Sequence, residues 1–219
     1  MIGVQFEGVG SGEPGIEINK FVTGDIVGVD YDWDGEFCNT ATQIQIWDGS
    51  GYTFYYYLNA HDSYAAGWCD DWGEYKTDLL VPGQAVWFWA KSGACTISTP
   101  GQVVTAEDTE IVCPNGKYMM AANFLPVELD LNNGDQVTFD GIVGTDYDWD
   151  GEFCNTAAQI QIWDGAGYTF YYYLNAHDKF TAGWCDDWGD KTAVAAIPCG
   201  RGFWAWAKTG AFTIHFWNK

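Results

Sequence analysis

Basic residues are scarce. Nine Lys and Arg stand against thirty Asp and Glu in 219 residues, a formal net charge of −21. That deficit excludes a phosphate-gripping surface, so no nucleic-acid partner is expected, and it works against attachment to anionic lipid. Long apolar runs are missing as well. No stretch approaches the roughly 18 apolar residues of a membrane-spanning helix, so no membrane insertion is expected. The opening Met1-Ile2-Gly3-Val4-Gln5-Phe6-Glu7 lacks the basic-then-apolar pattern of a secretory leader. Helical spacing is absent too, since no segment of about ten residues places apolar side chains three and four apart. Nor is there a G-x-S-x-G elbow or another complete catalytic set, so no enzymatic activity is expected.

What the chain does contain is one unit written twice. Asp30-Tyr31-Asp32-Trp33-Asp34-Gly35-Glu36-Phe37-Cys38-Asn39-Thr40 returns as the same eleven residues from Asp146 to Thr156, 116 positions later. Gln43 to Gly49 returns as Gln159 to Gly165, Tyr55 to Asp62 as Tyr171 to Asp178, and Gly67 to Gly73 as Gly183 to Gly189. Any function is therefore asked of the unit first.

The periodicity of that unit is two. Gln43-Ile44-Gln45-Ile46-Trp47 alternates, Asp48-Gly49-Ser50-Gly51 turns, and Tyr52 to Leu58 returns, which predicts a hairpin. Ala85 to Lys91 and Ala94 to Ser98 around Ser92-Gly93 predict a second, matched by Gly202 to Lys208 and Ala211 to Trp217. The expectation is an all-β protein of two tandem homologous modules, 1–100 and 101–219, each an antiparallel sandwich or small barrel of about six to eight strands. Glu110 to Cys113 has no counterpart before the first unit. A missing strand would leave a sheet edge open for self-association.

Asp30, Asp32, Asp34 and then Gly35 have the alternating oxygen spacing of a calcium loop, repeated at Asp146, Asp148 and Asp150. The twelfth position is Ala41 or Ala157, so this is not an EF-hand. Cys38 and Cys69 stand 31 residues apart, as do Cys154 and Cys185, which predicts two disulfides and an oxidising, extracellular setting. Each would contribute roughly 3–4 kcal/mol and would bring Asp70 and Asp71, or Asp186 and Asp187, beside the acidic loop. Calcium is the tentative cofactor. Cys95, Cys113 and Cys199 leave the pairings Cys113–Cys199 and Cys95–Cys113 both open.

Trp33 and Trp149 sit between aspartates, and Trp68, Trp72, Trp184 and Trp188 lie in the second acidic segment. Such rings can stack on a sugar while carboxylates accept from its hydroxyls; alternatively they plug the end of a sandwich. His61-Asp62 and His177-Asp178 recur without a nucleophile and read more simply as polar loop starts. The function expected from these features is a non-catalytic surface or fibre subunit of the cell exterior, with a bivalent glycan-binding protein as the alternative.

Overall fold

In the strands Gln43–Trp47 and Gln159–Trp163, one face is isoleucine and the other glutamine and tryptophan. Ile44 and Ile160 are fully buried, so each strand must have a core on one side and a different neighbour on the other. The computed structural model describes residues 2–3, 6–7, 16–20, 25–80, 84–91, 93, 95, 102–103, 108–194 and 196–217. Within these the chain is all-β, with thirteen strands in three antiparallel sheets, four more in two-stranded ribbons, and almost no helix.

The first half forms a five-stranded sheet in the order Ile2–Gly3, Ala85–Trp89, Gln43–Trp47, Tyr52–Leu58 and Gly67–Cys69. The second half repeats that order with Tyr118–Ala122, Gly202–Trp206, Gln159–Trp163, Tyr168–Leu174 and Gly183–Cys185. The hairpin predicted at the Asp-Gly turn is present in both halves, with Gln43 opposite Tyr56 and Gln159 opposite Tyr172. The one predicted from Gly202–Lys208 and Ala211–Trp217 is corrected, because Gly202–Trp206 pairs with Tyr118–Ala122 and Gln159–Trp163 while Phe212–Trp217 crosses to the other sheet. Asp48 closes its turn by accepting from the Ser50 and Gly51 amides at 2.7 and 2.8 Å.

A three-stranded sheet, ordered Asp108–Cys113, Phe212–Trp217 and Val137–Asp140, completes a β-sandwich in the second half. Its Ile214, Phe216 and Val137 share one core with Ile160, Phe203 and Trp184 of the larger sheet. In the first half, the hairpin predicted beyond Ser92 and the edge expected to lie open fall mostly on residues outside the described ones. The buried Ile18, Ile44, Tyr55, Trp68, Leu80 and Val86 form that half's own core.

The two large sheets meet through their tryptophan faces. Trp47 and Trp204 rings stand 6.2 Å apart at 73°, and Trp87 and Trp163 stand 6.2 Å apart at 80°. Trp163 is the repeat of Trp47, and strand pairing matches Trp204 to Trp87, so the two contacts are one contact made twice about a local two-fold. The Trp47 indole also donates to the Tyr118 carbonyl at 2.6 Å.

The predicted disulfides do not form. None of the seven cysteines is in a disulfide, so Cys38–Cys69, Cys154–Cys185 and both proposed pairings of Cys113 are corrected. Cys38 and Cys69 do belong to one buried cluster, which explains why their spacing recurs. Cys69 donates instead to the Gly67 carbonyl at 3.8 Å, and Cys38 bonds the Tyr56 hydroxyl. Burial pushes the thiols of Cys69 and Cys185 up to about 11 and that of Cys113 up to about 12. Thiols held protonated and covered react slowly. In the native protein, alkylation read by mass spectrometry is therefore expected at the exposed Cys199 first, and at Cys69, Cys113 and Cys185 only on unfolding. Two pairs of cysteines that resist alkylation even in denaturant, until reductant is added, would contradict this.

Candidate functional site

The repeated acidic loop is a turn held by its middle aspartate. Asp32 accepts from the Glu36 amide at 2.7 Å and the Phe37 amide at 2.9 Å, tying the loop to the single-turn helix Phe37–Thr40. Asp148 does the same with Glu152 and Phe153 at 2.7 and 2.9 Å. Phe37 and Phe153 anchor the turns in the core, 2% and 1% exposed. Gly35, at φ +73°, supplies the left-handed step that non-glycine residues resist.

That arrangement explains the calcium-like spacing without a cation. Asp30 accepts from the Asn59 side chain at 2.7 Å, and Asp146 from Asn175 at 2.6 Å. Asp70 accepts from the Trp72 and Glu74 amides at 3.0 and 2.9 Å and pairs with Lys76 at 2.8 Å. Burial works against the Asp70 carboxylate, but the Lys76 ammonium and these amides still hold its carboxyl below the usual range. Asp186 accepts from the Trp188 and Asp190 amides at 2.9 and 2.8 Å. These oxygens are aimed at separate amides rather than at one point. Among the described residues, no group of three or more His, Cys, Asp or Glu converges as a metal site.

The tryptophans divide cleanly. Trp33 is 86% exposed and Trp72 76%, and their repeats Trp149 and Trp188 are 85% and 79% exposed. Trp68 and Trp184 are 1% exposed and belong to the cores. They are corrected from ligand-binding to structural residues. Each indole N–H lacks a hydrogen-bond acceptor, and each ring instead packs edge-on against aromatic neighbours, Tyr57 at 5.3 Å for Trp68 and Phe139 at 5.1 Å for Trp184. Their position on the short strands Gly67–Cys69 and Gly183–Cys185 points them inward; Trp72 and Trp188, four residues on, are on the turn and point out.

Trp33 and Trp72 line one cleft of about 610 Å³. Its floor is a stack that the sequence reading missed. Tyr31 lies on His61 at 4.9 Å and 17°, and Trp33 sits edge-on to Tyr31 at 5.3 Å. The second half reproduces it, with Tyr147 on His177 at 4.8 Å and 16° and Trp149 on Tyr147 at 5.3 Å. The His61 ring nitrogens meet the Asn59 carbonyl at 2.9 Å and the Gly73 carbonyl at 2.8 Å. His177 meets Asn175 at 3.0 Å and Gly189 at 2.9 Å. Each imidazole is a brace between two loops, with no ring nitrogen left facing the cleft. The recurring His-Asp pair was the available signal, obscured because His and Asp are also ordinary loop residues.

Asp62 and Asp178 have φ of +48° and +44°, and no other described non-glycine residue has positive φ. Backbone held in that region clusters where a site needs a side chain placed against local preference. Here it brings Asp62 onto the same cleft as Trp33, Asp34, Asp71 and Trp72. The result in the first half is a concave acidic surface with two exposed indoles, and the second half repeats the indoles and the aromatic stack. No family model, no curated protein and no solved structure matches this chain.

Proposed function

We propose that the protein is a non-catalytic, bivalent glycan-binding protein made of two homologous sandwich modules, 1–100 and 101–219. The observation that carries this reading is the exposure of Trp33, Trp72, Trp149 and Trp188, between 76% and 86%. Large apolar rings left in water at corresponding positions of two repeats mark a binding surface. A sugar presents a flat C–H face to such rings and hydroxyls to nearby carboxylates, and the cleft supplies both partners. Two clefts on one chain give avidity for a repeating polymer without any new contact. Self-association through an open edge, the other expectation, concerns residues outside the described ones and finds no support in the site.

The test is a glycan array followed by calorimetry on the best binder. Trp33→Ala together with Trp149→Ala is expected to weaken binding at least about thirtyfold, the loss that goes with an interface hot spot. Because both rings are exposed, the melting temperature should hardly move, the stability cost staying within about 0.5 kcal/mol. Equal binding by wild type and the double variant would end the proposal. Large species growing with concentration in light scattering, with no glycan bound, would favour assembly instead.

A further inference from the structure

We infer that the first cleft selects cationic amino sugars over neutral glycans, an inference that rests on the glycan-binding reading. Three of its carboxylates, on Asp34, Asp62 and Asp71, are exposed and meet no hydrogen-bond or ion-pair partner among the described residues. They are unlike Asp32 and Asp70, whose oxygens are engaged by amides or a lysine. No Lys or Arg lines the cleft; Lys76, beside it, is taken up by Asp70 at 2.8 Å and by the lining residue Glu74 at 3.2 Å. Three unpaired negative charges in one concavity repel one another, and that repulsion is relieved by a cation rather than by a hydroxyl.

The indoles of Trp33 and Trp72 favour the same ligand, since the face of an indole attracts an ammonium as well as a C–H surface. A sugar with a free amine offers the flat ring and the positive charge in one residue. An N-acetylated or uronate sugar lacks the charge or carries the wrong one. The formal charge of −21 on the whole chain acts in the same direction at longer range.

The matching surface of the second half is a natural control. It repeats Asp150, Asp178 and Asp187, but Lys179 stands where the first half has Ser63. That lysine lies 5.1 Å over the Phe180 ring, at the position of Tyr64. An ammonium already at the rim reduces what a second one gains. The preference for amines should therefore be strong in the first cleft and weaker in the second.

The experiment uses the full chain as Trp149→Ala, which leaves the first cleft, and as Trp33→Ala, which leaves the second. Each is titrated, with tryptophan fluorescence and calorimetry, with a glucosamine oligomer, the fully N-acetylated oligomer of the same length, and an oligolysine of matched charge. At about pH 6 alkyl amines are protonated. The glucosamine oligomer is expected to bind Trp149→Ala at least about tenfold tighter than its acetylated form, a margin that shrinks in about 1 M salt. The margin should be smaller in Trp33→Ala, and Asp34→Asn with Asp71→Asn should close it, weakening the glucosamine oligomer by at least about tenfold more than the acetylated one. Acetylated and free oligomers binding Trp149→Ala alike would overturn the inference while leaving glycan binding intact. Oligolysine binding as tightly as glucosamine would also overturn it, because charge alone would then suffice. If neither oligomer bound, the inference would fail, and the array with its tryptophan variants would separately decide the broader reading.

Discussion

Gly189→Ala is expected to cost about 2–4 kcal/mol and to disable the cleft of its half. A Cβ there would lie 2.5 and 2.7 Å from Cε2 and Cδ2 of Tyr147, and φ is +76°. The left-handed backbone alone makes alanine roughly 1 kcal/mol less favourable than glycine. The overlap adds roughly 1–3 kcal/mol, as in an overpacked site. The ring cannot yield cheaply, because it is stacked on His177 and carries the edge of Trp149. Moving it would also disturb the contact of His177 with the Gly189 carbonyl. Gly73→Ala meets Tyr31 in the same way at 2.4 Å.

The control lies in the other acidic turn of the same half. Gly151 has φ +74°, yet a Cβ there meets nothing within 4 Å. Gly151→Ala should therefore lose only the conformational part, roughly 1 kcal/mol. Urea denaturation reads the stability, and titration with the best glycan reads the cleft, where at least about a tenfold loss of affinity in that half is expected for Gly189→Ala. If the two alanine variants proved equally stable, the packing of the aromatic floor against this glycine would be refuted.

Asn132→Ala is the second large effect, expected to lower stability by about 2–4 kcal/mol. The Asn132 amide donates to the Trp184 carbonyl at 3.0 Å, and its oxygen accepts from the Trp184 amide at 2.9 Å. One side chain thus acts as an extra rung along the short strand Gly183–Cys185. Alanine would leave both backbone groups of Trp184 without those partners, at roughly 1–3 kcal/mol each when covered from water. The site is already demanding, since the buried Trp184 indole has no acceptor of its own. Asn19 does the same for Trp68, bonding its amide at 2.7 Å and its carbonyl at 3.3 Å, and bonding the Lys76 carbonyl as well. Asn132→Asp keeps the acceptor and loses the donor, so it should fall between wild type and alanine. A urea midpoint for Asn132→Ala indistinguishable from wild type would show that the rung adds nothing.

Two of the sequence patterns, the spaced aspartates and the recurring cysteines, each admit a second physical reading. Alternate aspartates followed by glycine are the spacing of a cation loop, but they are equally the spacing of a turn whose aspartate caps a helix. Only the direction of the amides of Glu36 and Phe37 distinguishes the two. Recurring cysteines suggest a bond, but two residues that pack in the same core also recur together. Cys38 and Cys69 do share a cluster, with their sulfur atoms turned to other partners.

By itself the sequence determined that this chain is β-structured, where its Asp-Gly hairpins turn, and that its notable features come in pairs. Those properties follow from alternation, turn chemistry and self-similarity, all of which are local. The tertiary structure decided which tryptophans meet solvent: Trp68 and Trp72 are four residues apart, yet one is 1% and the other 76% exposed. It also decided that Tyr31, His61, Asp62 and Trp72 share a cleft, and that the two large sheets press their indoles together. Exposure depends on which strands cover a face, and a cleft depends on loops distant in the chain. No run of residues read along the backbone carries either fact.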